Sequence, residues 1–187
     1  IVVAANKAFV SYSSQDHCIR CWDLLGQEGP RINAPAGRTI HLLAGACDGS
    51  SIFYSYESFA QPPAVFEYDL AANRSKLWHR RALGFTTDEI ALRQTKYSSH
   101  DGTSVPITLA VKRHSEIAPP YPVVMTSCGG FGASTAPQFS ALASILMEHG
   151  ATIALPHIRG GGEFGKPWHD AGRGRNRRNT FEDFIAA

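Results

Sequence analysis

No charge of one sign dominates this sequence: 18 lysines and arginines stand against 16 aspartates and glutamates, a formal net charge of +2. That balance removes any global electrostatic reason to bind nucleic acid or an acidic membrane surface, so a functional site has to be local. Cysteine is scarce too, four in 187 residues. This excludes a disulfide-stapled miniprotein and fits reduced thiols in the cytoplasm. Long apolar runs are missing, since no stretch approaches the ~20 residues of a membrane helix, and the N-terminus lacks the basic-then-apolar pattern of a signal peptide. The expectation is a soluble, cytoplasmic chain with neither a nucleic-acid nor a membrane partner. There is no starting methionine; Ile1-Val2-Val3-Ala4-Ala5 reads as the middle of a strand, and Phe184-Ile185-Ala186-Ala187 lies in a helical pattern without a stop signal. An internal piece of a longer protein is therefore expected.

What is present is material for a core. At 43% hydrophobic and 10% aromatic residues, disorder and collagen-like repeats are excluded, and one or two globular units are expected. The first half repeats itself. Arg20-Cys21-Trp22-Asp23-Leu24 returns as Phe66-Glu67-Tyr68-Asp69-Leu70, and Phe9-Val10-Ser11-Tyr12-Ser13 as Phe53-Tyr54-Ser55-Tyr56-Glu57, at offsets of 46 and 44 residues. Each copy reads as a four-stranded unit. Spacings of this size fit propeller blades, which cannot bury both faces alone and must stack, with an unspecific all-β segment as the alternative. Core packing is the simpler role for the repeated aromatics.

The pattern changes around residues 80–96, where charge increases (Arg80-Arg81, Asp88-Glu89) and a domain boundary is placed. Gln94 to Lys112 predicts a β-hairpin about Asp101-Gly102. After the linker Pro119-Pro120-Tyr121-Pro122, the run Val123-Val124-Met125-Thr126 predicts a strand covered on both faces. Gln138 to His149 predicts a helix with Phe139, Leu142, Ile145 and Leu146 on one face, ended by Gly150, with His149 serving the helix dipole rather than chemistry. A strand over Ala151 to Ile158 follows, and a last helix opens at Thr180 with Asp183 as a capping-box partner. Strand, helix, strand, loop, helix argues a parallel sheet flanked by helices.

Several motifs compete for chemistry. Gly160-x-Gly162-x-x-Gly165 matches a dinucleotide fingerprint, but no helix opens directly at these glycines and no acidic strand tip follows. Gly132-Ala133-Ser134-Thr135-Ala136 is one residue from a nucleophile elbow, yet Ser134 lies beyond the strand end and reads as a loop residue. Cys18-x-x-Cys21 lacks a second cysteine pair and reads as small core residues. No histidines show the i, i+4 spacing of a helical metal site, and no metal or organic cofactor is called for. Arg173 to Arg178 is a positive patch, read as a solvated or interdomain face. Cys128-Gly129-Gly130-Phe131-Gly132 closes a strand and precedes a helix. In α/β-hydrolases the loop in that place supplies part of the oxyanion hole, while a plain strand-to-helix turn is the alternative.

Taken in order, Cys128-Gly129-Gly130-Phe131-Gly132, His157-Ile158-Arg159-Gly160-Gly161-Gly162-Glu163-Phe164-Gly165, Trp168-His169-x-Ala171-Gly172 and Asn179-Thr180-Phe181-Glu182-Asp183-Phe184 resemble the prolyl oligopeptidase family of serine peptidases. His100-Asp101-Gly102-Thr103-Ser104-Val105-Pro106 fits the family's hairpin, and residues 51–70 are similar to its last propeller blade. The resemblance implies an α/β-hydrolase domain, here only the N-terminal part of its parallel sheet with flanking helices, preceded by the last blades of a β-propeller. The corresponding bounds are 1–82 and 83–187. It further implies a peptidase for short peptides, acting after proline or, in a sister group, after basic residues, and working as a monomer. Its serine, aspartate and histidine would follow residue 187, so this chain alone is expected to be inactive. Cys128, Gly129 and Gly130 take the oxyanion-loop positions, Phe131 a substrate contact, and Arg159 and Glu163 support the loop. Cys128 departs from the family's usual tyrosine. An esterase or acyl-peptide hydrolase on the same scaffold, or a non-catalytic binding module built on the propeller, are the alternatives.

Overall fold

The computed structural model describes residues 1–12, 17–35, 38–59, 61–82, 90–113, 120 and 122–187. Ser13, part of the proposed repeat, the boundary at 82/83 with Asp88-Glu89, and the linker positions Pro119 and Tyr121 lie wholly or partly outside the described residues.

Strands β1 (Val2–Ala4), β2 (Lys7–Tyr12), β3 (Cys18–Asp23) and β4 (Ile32–Asn33) form one antiparallel meander, and β5 (Thr39–Gly45), β6 (Ser51–Glu57), β7 (Ala64–Asp69) and β8 (Arg74–Arg80) form a second. The two copies seen in the sequence are the second and third strands of each sheet, β2 with β6 and β3 with β7. The recurring aspartate has a local cause. Asp23 Oδ1 accepts from the amides of Leu25 and Gln27 (2.8 and 2.9 Å), and Asp69 Oδ1 accepts from those of Ala71 and Ala72 (both 2.9 Å), so each carboxylate builds the turn that ends its strand. Phe9, Ile19 and Cys21 of the first sheet pack with Ile40, Ile52, Tyr54 and Tyr68 of the second, and this shared core joins the blades. Cys18 and Cys21 are both buried, Cys21 within this core.

The third sheet has the order β11-β12-β10-β9, made of β9 (Ile90–Ser98), β10 (Ser104–Lys112), β11 (Val123–Met125) and β12 (Thr152–Pro156). β9 and β10 are the expected hairpin, turned at Asp101-Gly102. The parallel part is the pair β11 with β12, joined through α1 (Ala141–Glu148), while β10 runs antiparallel to β12. α2 (Gly165–Asp170) and α3 (Arg177–Ala186) follow.

Three local expectations are corrected. Among the described residues β11 stands at the edge of the sheet with Val123 59% exposed, so they do not supply the cover expected on both its faces. On α1, Leu142 and Ile145 face solvent while Ser144 and Met147 are buried; periodicity located a stripe but not the side the sheet covers. α3 begins at Arg177, one turn before Thr180, because Thr180 and Asp183 are recruited by tertiary partners instead of capping. His149 behaves as expected, its Nδ1 lying 2.9 Å from the Ile145 carbonyl at the end of α1.

The second blade is tied to the third sheet. Thr39 Oγ1 donates to the Pro137 carbonyl (2.9 Å), the Phe139 amide donates to Glu57 Oε2 (2.9 Å), and Phe59 is buried among Ala110, Met147, Ile153 and Leu155.

Candidate active site

The loop from Cys128 to Ala133 leaves the C-terminal end of β11 and is seated on the segment that follows β12. A Cβ on Gly129 would lie 2.5 Å from the Ile158 side chain and 2.6 Å from Thr180, so only glycine lets the backbone approach this closely. Gly132 donates its amide to the Gly160 carbonyl (3.3 Å), Gly162 donates to the Ala133 carbonyl (3.2 Å), and a Cβ on Gly162 would fall 2.1 Å from the Gly132 carbonyl oxygen. Gly160 and Gly162 of the Gly160-x-Gly162-x-x-Gly165 pattern therefore serve loop-on-loop packing, while Gly165 has open space around it and takes a φ of +77°.

Ala133 donates to Gly130 (3.0 Å), closing a turn whose central residues Phe131 and Gly132 have φ of +57° and +66°. A bulky side chain is strained at such a φ. Phe131 is nonetheless held there and is 100% exposed. Among the described residues, the amides of Cys128, Gly129, Gly130 and Phe131 donate to no protein acceptor, and the Cys128 side chain is exposed. Ser127 offers no substitute hydroxyl, because its Oγ donates to the Pro156 carbonyl (2.7 Å). Gly129 and Gly130 are buried, so the surface the loop offers is the Cys128 thiol and the Phe131 ring, with amides that lack an acceptor among the described residues lying between them.

Arg159 anchors the floor beneath it. The guanidinium is buried between two carboxylates: Nε donates to Asp183 Oδ2 (2.9 Å), Nη2 to Asp183 Oδ1 (2.6 Å) and Nη1 to Asp101 Oδ2 (2.6 Å). Ser99 Oγ (2.6 Å) and the Arg159 amide (3.0 Å) complete the shell of Asp183, which is 0% exposed. The hydrogen bond from Arg159 holds the Asp101 carboxyl well below the usual range, the bonds the guanidinium donates to Asp183 push its own value higher, and burial raises the Tyr97 phenol, which donates to the Asp183 carbonyl (2.7 Å). Thr180 Oγ1 sits 2.8 Å from the Arg159 carbonyl.

A cavity of about 650 Å³ lies beside the loop, lined among others by His17, Thr108, Thr135, His157, Glu163 and Trp168; residues 128–132 are not part of its wall. The Thr135 amide donates to Glu163 Oε1 (2.7 Å), and His157 Nε2 is 2.9 Å from Thr108 Oγ1. Burial depresses the basicity of both His17 and His157, and His157 adds to the effect on His17. Ser134 remains a half-buried loop residue. Among the described residues no group of His, Cys, Asp or Glu has metal-binding geometry.

The structure sets the Cys128–Phe131 loop against the segment holding Arg159 to Glu163 and brings in three residues from outside those motifs. Arg177, expected on a solvated or interdomain face, donates its Nη1 to the Gly129 carbonyl. Asp183, expected as a capping partner, pairs with Arg159, and His17 lines the cavity. Their partners are distant in sequence; the only local sign was an aspartate within the apolar pattern of the last helix.

Comparison with known proteins follows this division. Residues 1–81 match the model described as prolyl oligopeptidase, N-terminal beta-propeller domain, and residues 137–187 the model of the prolyl oligopeptidase family. A prolyl endopeptidase of Elizabethkingia miricola is 34% identical over 169 residues, covering 90% of this chain and 24% of the relative. Prolyl oligopeptidase A of Galerina marginata is 36% identical over 150 residues, covering 78% of this chain and 20% of the relative. The chain thus spans about a quarter of the length of the curated relatives it matches. Among solved structures, one from a study of two prolyl endopeptidases superposes with a TM-score of 0.90 at 26% identity, covering 98% of this chain and 27% of that one. Prolyl oligopeptidase B of Galerina marginata bound to a 35mer substrate superposes with a TM-score of 0.84 at 28% identity, covering 99% and 27%.

Proposed function

Because the chain belongs to the prolyl oligopeptidase family, we propose that the whole protein is a serine oligopeptidase that cleaves short peptides after proline by acyl transfer. Residues 1–82 are the C-terminal part of its propeller and residues 83–187 the N-terminal part of its hydrolase domain. A serine outside this chain attacks the scissile carbonyl, a histidine takes its proton, and an aspartate orients the histidine. The observation that carries the reading is the 128–131 loop, whose four amides have no acceptor among the described residues and whose Phe131 is exposed at positive φ.

In this mechanism the amides of Gly129 and Gly130 face the carbonyl oxygen as it becomes an oxyanion, and Phe131 packs against the substrate near the cleaved bond. Cys128 takes the place of a tyrosine hydroxyl. A thiol is shorter and donates weakly, and the lost donor is worth roughly 3–4 kcal/mol of transition-state stabilisation. More of the burden therefore falls on the backbone. The protein works as a cytoplasmic monomer without nucleic-acid or membrane partners; four free cysteines support the compartment and the near-neutral charge the lack of a polyanionic partner, and among the described residues no helix is long and apolar enough to cross a membrane.

A fluorophosphonate probe on the full-length protein tests the reading. Serine labelling and turnover of a proline-containing peptide are expected, and residues 1–187 alone should show neither. An unlabelled serine would leave only a binding module, and turnover of esters or acyl-peptides but not internal prolyl bonds would move the activity elsewhere on the scaffold. In the same assay Cys128→Tyr should raise kcat about a hundred- to a thousandfold; no change would remove Cys128 from the mechanism.

A further inference from the structure

We infer that His169 is a positioning residue for proline selection: its imidazole clamps Gly160 and seats Gly132, and so sets the direction in which the neighbouring Phe131 ring meets the substrate. The inference rests on the peptidase reading above and adds to it a residue of α2.

Phe131 holds a φ of +57° while its side chain is 100% exposed. That conformation strains a bulky residue, and a ring without cover gains no packing to offset it. The backbone on either side must therefore hold it in place. Ala133 donates to the Gly130 carbonyl across the turn, and Gly132, next in the chain to Phe131, donates to the Gly160 carbonyl. The same Gly160 oxygen lies 2.8 Å from His169 Nδ1. A carbonyl oxygen only accepts, so Nδ1 carries the proton.

His169 and its neighbour grip Gly160 from both sides. The Gly160 amide donates to the Trp168 carbonyl (3.1 Å) and the Gly160 carbonyl accepts from His169, which fixes the two peptide planes flanking this residue at φ +97°. The imidazole also lies against Gly132, where a Cβ would stand 3.7 Å from Nδ1 and 3.8 Å from Cε1. One side chain thus touches both partners of the Gly132–Gly160 bond. A place in the last turn of α2 suits any cation; it does not call for a ring that bonds to Gly160, outside the helix. Recognition of a proline ring rests on apolar contact, which is lost when the ring facing it turns away.

The test uses the full-length protein and two peptides that differ only in proline or alanine before the cleaved bond. His169→Ala should lower the proline-over-alanine ratio of kcat/KM about tenfold, with most of the change in KM for the proline peptide. His169→Asn, whose Nδ2 takes the place of Nδ1, should recover most of the ratio, whereas His169→Gln, which carries its amide one bond further out, should not. In a Phe131→Ala background His169→Ala should change the ratio less than about twofold, because the effect passes through that ring. Should His169→Ala not fold, the asparagine and glutamine variants carry the same criterion. An unchanged ratio, no difference between the two amides, or the same tenfold loss without Phe131 would overturn the inference and leave the peptidase reading standing. A wild-type protein that neither labels nor turns over would overturn both.

Discussion

The two blades and the β9–α3 unit face the same difficulty, a small sheet that cannot bury both faces by itself, and answer it with different chemistry. In the blades the fully buried side chains are mostly apolar, Phe9, Ile19, Ile40 and Ile52 with Cys18 and a single polar Thr39, and adjacent sheets close over the apolar cluster. In the β9–α3 unit the fully buried residues include Thr108, Ser144 and Asp183, and the loops are held by an arginine between two carboxylates and by glycines whose Cβ atoms would collide. Apolar packing is non-directional and accepts substitutes of similar volume. A buried charge accepts only its partner. The blades are thus a tolerant scaffold, and the loop floor is specified residue by residue, as a site needing fixed amide directions requires.

The sharpest way to break this contrast is to remove one anchor from each region. Asp183→Ala should destabilise the protein by about 4 kcal/mol, because it leaves the buried Arg159 guanidinium with Asp101 alone and its Nε unpaired. Ile52→Ala in the blade core should cost about 3 kcal/mol through a cavity. The second test is qualitative. Ile52→Leu should recover most of the blade's loss, whereas Asp183→Leu should recover nothing unless Arg159 is replaced as well. Urea unfolding with both variants decides it. An Asp183→Ala cost below about 1 kcal/mol would mean that apolar packing holds both regions alike.

The contact between the regions has its own signature. His17 comes from the blades and His157 from the sheet unit, both line the same cavity, and burial keeps both neutral more readily than in water. Glu163 opposes the effect on His157, while His41 adds to that on His17. Below about pH 6.5 the unfolded chain takes up protons that the folded state refuses, so stability falls with pH and levels off once the lowered folded values are passed. Above that pH the contribution is complete. Urea midpoints between pH 8 and 5 should therefore decline toward acid, and the His17→Gln/His157→Gln double variant should decline less steeply. Parallel profiles would show that the contact does not titrate.

Legibility in the sequence follows the range of the interaction. The aromatic-Asp-Leu repeat was readable because Asp23 and Asp69 act on amides two to four residues away. The β9–β10 hairpin was readable because Asp101 and Gly102 make its turn, with Gly102 at φ +80°. Glycines marked the 128–132 loop. The parts that escaped are long-range. Arg159 meets Asp183 across 24 residues, Arg177 meets Gly129 across 48, and neither pairing leaves a periodic trace. Thr180 and Asp183 looked like a cap because the same polar residues suit a helix start or a buried network, and only the packed loop distinguishes these roles.

The smallest effects should come from ion pairs in water, and here the two regions ought to be indistinguishable. Glu28 in the blades lies 3.8 Å from Arg20 and 3.4 Å from Arg31, and Glu182 on α3 lies 3.0 Å from Arg178, whose side chain is 85% exposed. Such pairs order long side chains for little Coulomb gain and are screened by salt. Glu28→Ala and Arg178→Ala should each shift stability by less than about 0.5 kcal/mol, with the difference gone in 0.5 M salt. Arg178→Ala should also leave turnover unchanged, although it neighbours Arg177 in the same helical turn. A loss of turnover from Arg178→Ala would mean that the charge of the whole patch acts on the loop at a distance, and the distinction between a specified floor and a solvated surface would have to be drawn further out along α3.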